Sequence, residues 1–288
     1  MLHPEVLGFY LLYTTKSFLC EGEKVDSISD HLPVHKKPVS NDEFGYYLAG
    51  LIEGDGYINK KVINITITFH HLDAPLAYYI KKRIGYGIVD NVKDKNAFIY
   101  RANLEGSIVI AKLINGKLRT DKINNFYCLL ELINKRIPTP IIPQEKDISL
   151  LTNSHWLAGF SDADGSFQVK TINRKGRKFG YEIRLNYQID QKNNFILEQI
   201  KEALGGSIGY RKNQGTFYYS SVSFGSAKKV INYFDHFNLL SSKHVNYIKW
   251  RNVYRLIQRK EHLTKNGIEK IFKIKSSMNS LSRDEFEL

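Results

Sequence analysis

No uninterrupted run of about 18 apolar residues occurs in this 288-residue chain, so no segment is long and apolar enough to span a bilayer as a helix. Cysteine is nearly missing. Cys20 and Cys128 are the only two, too few and too far apart for a disulfide framework or a zinc site. Cys128, inside Asn125-Phe126-Tyr127-Cys128-Leu129-Leu130, reads as a buried helix residue with silent chemistry. Proline is sparse, and three of the seven fall together at Pro138, Pro140 and Pro143. That clustering predicts an extended linker. Negative charge is also short, with 29 Asp and Glu against 42 Lys and Arg and a net charge of +13. A pI near 9.4 suits a polyanionic partner, nucleic acid first.

What is present is a repeat. Leu48-Ala49-Gly50-Leu51-Ile52-Glu53-Gly54-Asp55-Gly56 returns 109 residues later as Leu157-Ala158-Gly159-Phe160-Ser161-Asp162-Ala163-Asp164-Gly165. On a helix each copy divides into two faces. Phe44, Tyr47, Leu48, Leu51 and Ile52 form a bulky side, and Gly45, Ala49, Gly50, Glu53 and Gly54 a small or acidic one. Trp156, Leu157 and Phe160 stand likewise against Ser154, Ala158, Gly159, Asp162 and Ala163, with Ser161 a misfit. Small faces let two backbones approach closely. If they pack together, Asp55 and Asp164 arrive side by side at two helix C-termini. Carboxylates are disfavoured there by the helix dipole and by each other. A divalent cation on oxygen ligands would hold them. Gly56 and Gly165 are expected to stop each helix in a left-handed conformation.

Each copy opens a unit of the same order. Ser40 and Glu43 form a capping box before the first motif. After Gly56 the period changes: Ile63, Ile65, Ile67 and Phe69 alternate with Asn64, Thr66, Thr68 and His70, the pattern of a half-buried strand. Tyr57-Ile58 pairs with this run across Lys60-Lys61. A helix over Ala74 to Ile84, a hairpin of Gly85 to Val92 with Ala97 to Asn103, and helices over Ser107 to Asn115 and Lys122 to Lys135 complete the unit. The second unit runs through strands Ser166 to Ile172 and Tyr181 to Gln191, a helix from Asn194 to Leu204, and strands Ser207 to Arg211 and Thr216 to Phe224. Helices over Ala227 to Phe237 and Lys243 to Arg259 close it, and Leu263 to Asn279 adds a short C-terminal helix. Aligning Ile80 with Ile200 sets Asn64, Thr66 and Thr68 opposite Arg184, Asn186 and Gln188. The predicted fold is therefore α+β, with two pseudo-symmetric αββαββα units joined at a two-helix interface. The boundaries are an N-terminal extension (1–39), a first unit (40–136), a linker (137–151) and a second unit with its terminal helix (152–288).

With two such nonamers in one polypeptide, the sequence resembles the LAGLIDADG homing endonucleases, over roughly residues 40 to 280. The resemblance implies a monomer whose antiparallel sheets form a saddle on double-stranded DNA. It implies cutting of both strands of a long target with Mg2+, for which Mn2+ or Ca2+ can substitute in binding. Asp55 and Asp164 match the family's metal-binding acid, with Gly54 and Ala163 beside them in the metal site. Glu53 and Asp162 are expected to make local hydrogen bonds at the helix edge. A polar residue that orients water maps to Gln191 and, through the repeat alignment, to His71. The family's later lysine maps to Lys122 and Lys243, with Arg119 a rival. Asn64, Thr66, Thr68, Arg184, Asn186 and Gln188 would face the major groove. Lys60, Lys61, Arg174, Lys175, Arg177, Lys178, Arg211 and Lys212, at hairpin tips with Lys93 to Lys95, would reach phosphates. The longer hairpin after Gly165 makes the target asymmetric.

Two other readings share the fold: an intron maturase that binds host intron RNA in splicing, and a non-catalytic DNA-binding protein. The wealth of Lys, Asn, Ile, Tyr and Phe, encoded by AT-rich codons, points to an organellar gene and a mitochondrial protein. His3-Pro4-Glu5-Val6 resembles a tetrapeptide of cytochrome oxidase subunit one, as expected of a family often translated in frame from an upstream exon.

Overall fold

The computed structural model describes residues 27–176 and 179–278. Arg177, Lys178, Cys20 and the tetrapeptide His3 to Val6 lie outside the described residues.

The first unit begins with α1 (Asn41–Asp55), whose entrance is fixed by the expected capping box: Ser40 accepts from the Glu43 N–H and Glu43 reaches back. The chain passes without a loop from α1 into β1 (Gly56–Ile58), returns as β2 (Ile65–His70), and makes one turn of 3-10 helix before α2 (Ala74–Ile84). Gly85, at φ +85°, ends α2 in the left-handed region, where a Cβ is penalised. β3 (Ile88–Val92) and β4 (Ala97–Arg101) form the second hairpin. α3 (Leu104–Ile114), capped by the Asn103 side chain on Gly106 N–H, and α4 (Lys122–Asn134) follow.

The second unit repeats the order: α5 (Trp156–Asp164), β5 (Gly165–Asn173), β6 (Tyr181–Gln191), α6 (Phe195–Leu204), β7 (Ser207–Arg211), β8 (Thr216–Ser220), α7 (Phe224–His236) and α8 (Lys243–Gln258). α9 (Lys265–Ser277) packs beside α8. Each unit holds one four-stranded antiparallel sheet, in the orders β1-β2-β4-β3 and β5-β6-β8-β7. One face of each sheet is apolar and covered by helices: Ile65, Ile67, Phe69 and Tyr100 in the first, Phe167, Leu185, Tyr187, Ile189 and Tyr219 in the second are buried. The alternate residues make the other face.

Four expectations change. Gly56 and Gly165 are not left-handed; they sit at φ −81° and −79° in extended conformation. They are glycine because the direct helix-to-strand turn folds back on the helix: a Cβ would lie 2.7 Å from Ile52 Cα and 2.8 Å from Ser161 O. Gly45 does not face the second motif; its Cβ would meet Leu113 O of α3 at 2.3 Å. The repeat alignment is shifted by two residues. Gly56 pairs with Ile67 and Gly165 with Ile189, so Ile67 corresponds to Ile189 and Thr66 to Gln188. A shift of two preserves the in-out alternation, which is why the pattern alone could not reveal it. Cys128 is half-buried.

Residues 27–39, read as an N-terminal extension, run along the second unit as far as Lys36 and then onto the first, where Lys37 lies over the Tyr79 ring and Arg83 donates to Pro38 O. Ile28 is buried and exchanges backbone hydrogen bonds with the Gln258 amide at 2.9 and 3.1 Å. Lys36 N–H donates to Asn238, and Asp30 pairs with Arg255 and Arg259.

Candidate active site and nucleic-acid face

α1 and α5 cross at their glycines. A Cβ on Gly50 would stand 1.9 Å from Trp156 O, and one on Gly159 1.9 Å from Tyr47 O. The contact is thus reciprocal and backbone to backbone. At the far end a Cβ on Gly54 would be 2.1 Å from Ala163 Cβ and 3.2 Å from an Asp164 carboxylate oxygen. The two helices therefore deliver their terminal aspartates to one place.

The inner acids do more than cap their own helices. Glu53, nearly fully buried, accepts from the Arg119 and Thr120 N–H groups, the Thr120 hydroxyl, and Trp156 Nε1 of the opposite helix at 2.7 Å. Asp162 accepts from the Leu240 and Ser241 N–H groups, the Ser241 hydroxyl, and Tyr47 Oη of the opposite helix at 2.7 Å. These are long-range braces, not the local bonds expected. Burial raises the pKa of both acids, and these hydrogen bonds oppose the shift. Tyr47 and Trp156, which the helical pattern assigns only to packing, each reach across the interface.

Lys122 and Lys243 stand at the starts of α4 and α8. Lys122 Nζ donates to the carbonyls of Ile52, Gly54 and Gly56 at 2.8–2.9 Å. Lys243 Nζ donates to Ala163 O at 2.5 Å and Ser161 O at 3.4 Å. Neither α1 nor α5 carries a basic residue in its last turn, so these lysines supply from outside the positive charge a helix C-terminus favours. The carbonyls of Gly54 and Ala163 thereby face lysine ammonium groups. Arg119 serves elsewhere: it is buried, ion-paired with Asp147, and donates to Ser149, which fixes the linker.

Asp55 remains open to solvent, and among the described residues its carboxylate accepts no hydrogen bond. Protein crowding and the neighbouring Asp164 carboxylate raise its pKa to about 6, against the opposing pull of Lys243 and Lys122. Asp164 is also raised by burial, offset by a 2.7 Å hydrogen bond from the Gln191 amide and by the lysines. Among the described residues no three His, Cys, Asp or Glu side chains form a metal cluster. Two carboxylates, one without a hydrogen-bond donor, form an all-oxygen donor pair suited to a hard divalent cation. Such a cation would complete its shell with waters and phosphate oxygens, as Mg2+ commonly does.

The two halves differ at the position expected to orient water. Gln191 reaches Asp164 from the end of β6, where it pairs with Phe217. The same position in the first sheet, paired with Phe98, is Phe69, which is buried. His71 lies past the strand, in the 3-10 turn, its ring 4.2 Å from that of His70.

On the outer faces, Thr66 and Thr68 lie in the first sheet and Arg184, Asn186 and Gln188 in the second. Asn64 donates to Ala102 O. Asn186 is only 1% exposed, enclosed by Gln168, Gln188 and Ser220, so it is not a free groove-reading side chain. Lys60, Lys61, Lys175 and Lys212 are exposed, Arg174 and Arg184 share Glu182, and Arg211 pairs with Asp190. Strand register adds residues that alternation did not single out. Tyr57 and Arg101 flank Thr66, and Ser166, Gln168 and Lys170 pair with Gln188, Asn186 and Arg184.

Comparison with known proteins bears on this arrangement. A family model described as LAGLIDADG endonuclease matches residues 157–254. A cox1 intron-2 protein of 37.2 kDa from Schizosaccharomyces pombe is 52% identical over 85% of this chain and 76% of its own length. Probable intron-encoded endonuclease 4 of Neurospora crassa is 28% identical over 82% of this chain, which spans only 44% of that relative. Among solved structures, I-SmaMI bound to an uncleaved DNA target with calcium ions superposes with a TM-score of 0.64 at 22% identity. That superposition covers 82% of this chain and 98% of that one, a likeness of fold.

Proposed function

The chain belongs to the LAGLIDADG endonuclease family, and from that premise we propose that it is a site-specific homing endonuclease. Its substrate is a long asymmetric DNA duplex, both strands of which it cuts by phosphodiester hydrolysis, with Mg2+ as the working ion and intron mobility as the outcome. Relatives from fungal cox1 introns and intron-encoded endonucleases support a mitochondrial setting. The observation that carries the reading is the convergence of Asp55 and Asp164, held by the reciprocal glycine contact of α1 and α5.

Asp55 and Asp164 would hold the ion, which supplies Lewis-acid stabilisation for attack of water on a phosphate and for departure of the leaving oxyanion. The Gln191 amide fixes the rotamer of Asp164 and has a second N–H with which to hold the attacking water. Lys122 and Lys243 hold the motif helices by their terminal carbonyls and place positive charge beside the scissile phosphates. Glu53 and Asp162 lock the loops that carry those lysines. The outer sheet faces take up the major groove, and exposed basic tips such as Lys60, Lys61 and Lys175 reach the backbone.

The test is cleavage of an intronless allele of the host gene in Mg2+. Asp55→Asn and Asp164→Asn are each expected to reduce double-strand cleavage on the order of a hundredfold or more, while binding in Ca2+ persists. Unchanged cleavage by either variant refutes the assignment. Rescue of host-intron splicing without any cleavage would instead establish the maturase role.

A further inference from the structure

The two sheets offer different chemistry on their outer faces. In the first, strand pairing sets Tyr57, Thr66, Arg101 and Ile88 in one row, Thr68, Ile99 and Asp90 in the next, and His70, Ala97 and Val92 in a third. The one long cation among them, Arg101, is tied to Asp90 at 3.0 Å. No Asn or Gln side chain stands in these rows; Asn64, just before β2, has one amide hydrogen on Ala102 O. Between and beside the threonines stand the aliphatic Ile88, Ile99, Ala97 and Val92, with Tyr57 and His70 at the two ends of the rows, and Ile88 is 54% exposed. Aliphatic and threonine methyl groups in a major groove have one distinctive counterpart, the 5-methyl of thymine.

The second sheet is built around amides. Asn186 is the enclosed hub, donating to Gln168 Oε1 and Gln188 Oε1 at 3.4 and 3.2 Å and accepting from the Ser220 hydroxyl. Gln168 Nε2 donates to Ser166, and Gln188 Nε2 to Asp190 at 2.7 Å. An amide has two donor hydrogens and two acceptor lone pairs. Each half-buried glutamine therefore keeps one hydrogen and one lone pair, on an amide held in place by its other two bonds. That pair matches the N7 acceptor and N6 donor of adenine.

We propose that the two units read DNA by different chemistry. The first unit recognises thymine methyls through Thr66, Thr68, Ile88 and Ile99. The second recognises adenine edges through Gln168 and Gln188, positioned by Asn186. This rests on the endonuclease reading and names the half-site chemistry it uses.

The probe is a randomised duplex library selected on the whole protein in Ca2+, so that binding is scored without cutting. The recovered duplex is then remade with deoxyuridine for thymine, or 7-deazaadenine for adenine, in one half at a time. Deoxyuridine is expected to weaken binding about fourfold per contacted methyl in one half only. 7-Deazaadenine is expected to weaken it about tenfold per read adenine in the other half only. Ile88→Ala should abolish deoxyuridine sensitivity at one position and leave the deaza effect intact. Gln188→Ala should do the converse, which a merely structural role for either side chain would not produce. Equal sensitivity of both halves to both analogues, or to neither, overturns the proposal while leaving the endonuclease reading standing. Recovery of no duplex at all overturns both.

Discussion

Asp55 has an ordinary unfolded pKa of 3.8 and a folded one of about 6, so the native state holds the proton more tightly than the unfolded chain. Its stabilising contribution is therefore present below about pH 4 and is lost as pH rises through 6. Metal-free protein is expected to show a falling Tm from pH 4 to 6.5, and Asp55→Asn to flatten that slope. Added Ca2+ should raise the wild-type Tm at pH 7.5 and leave the variant nearly unmoved. Thermal unfolding across pH reads all of these. Gln191→Ala is expected to slow cleavage of one strand about tenfold or more and spare the other, because the corresponding Phe69 supplies no hydrogen bond to Asp55; nicking on a strand-labelled duplex distinguishes the two. Asp55 and Asp164 could be picked from the repeated nonamers, while Gln191, Lys122 and Lys243 came only through the family resemblance and the repeat alignment. Phe69 could not, because two hairpins of unequal length can be aligned two residues apart without disturbing any hydrophobic pattern. Nor could the hydrogen bonds of Tyr47 and Trp156, since a bulky residue at a helical core position carries no mark that its polar atom has a partner on another element.

At the level of elements, α1 and α5 meet backbone against backbone. With 1.9 Å between an added methyl and a carbonyl oxygen on each side, no rotamer change can relieve a substitution. Gly50→Ala and Gly159→Ala are each expected to destabilise by ~3 kcal/mol or more, the upper end of overpacking penalties, seen as a lowered denaturant midpoint. Trp156→Phe keeps a six-membered aromatic ring but removes the indole N–H that Glu53 accepts, and with it the five-membered ring of a fully buried side chain. About 2–4 kcal/mol of lost stability is expected from the lost hydrogen bond and the cavity together. Helix and strand positions were largely readable: α2, α4, β6 and β7 begin where the periodicity changes. The ends of α3 and α7 were less so. Both start earlier than expected, at Leu104 and Phe224, because the Asn103 and Ser223 side chains cap N–H groups of Gly106 and Ser226, and such caps precede the apolar run they serve.

For the molecule as a whole, the surplus of positive charge sets the expected salt response. If several lysines and arginines neutralise phosphates, affinity should fall roughly a thousandfold between about 50 and 200 mM salt; titration of a labelled duplex at several salt concentrations measures the slope. The doubled architecture was legible because the motif recurs. The course of residues 27–39 was not: Ile28 and His31 engage the second unit through backbone groups, and backbone partners leave no trace in composition. The braces across the helix pair also differ in reach. Tyrosine, whose hydroxyl extends far, meets the short aspartate, and tryptophan, whose indole nitrogen lies nearer its backbone, meets the longer glutamate. Were either unit to associate with a duplicate of itself, reach and acid would be mismatched by a methylene at both contacts. The interface thus tells its complement from its own likeness, so that only unlike halves can satisfy it.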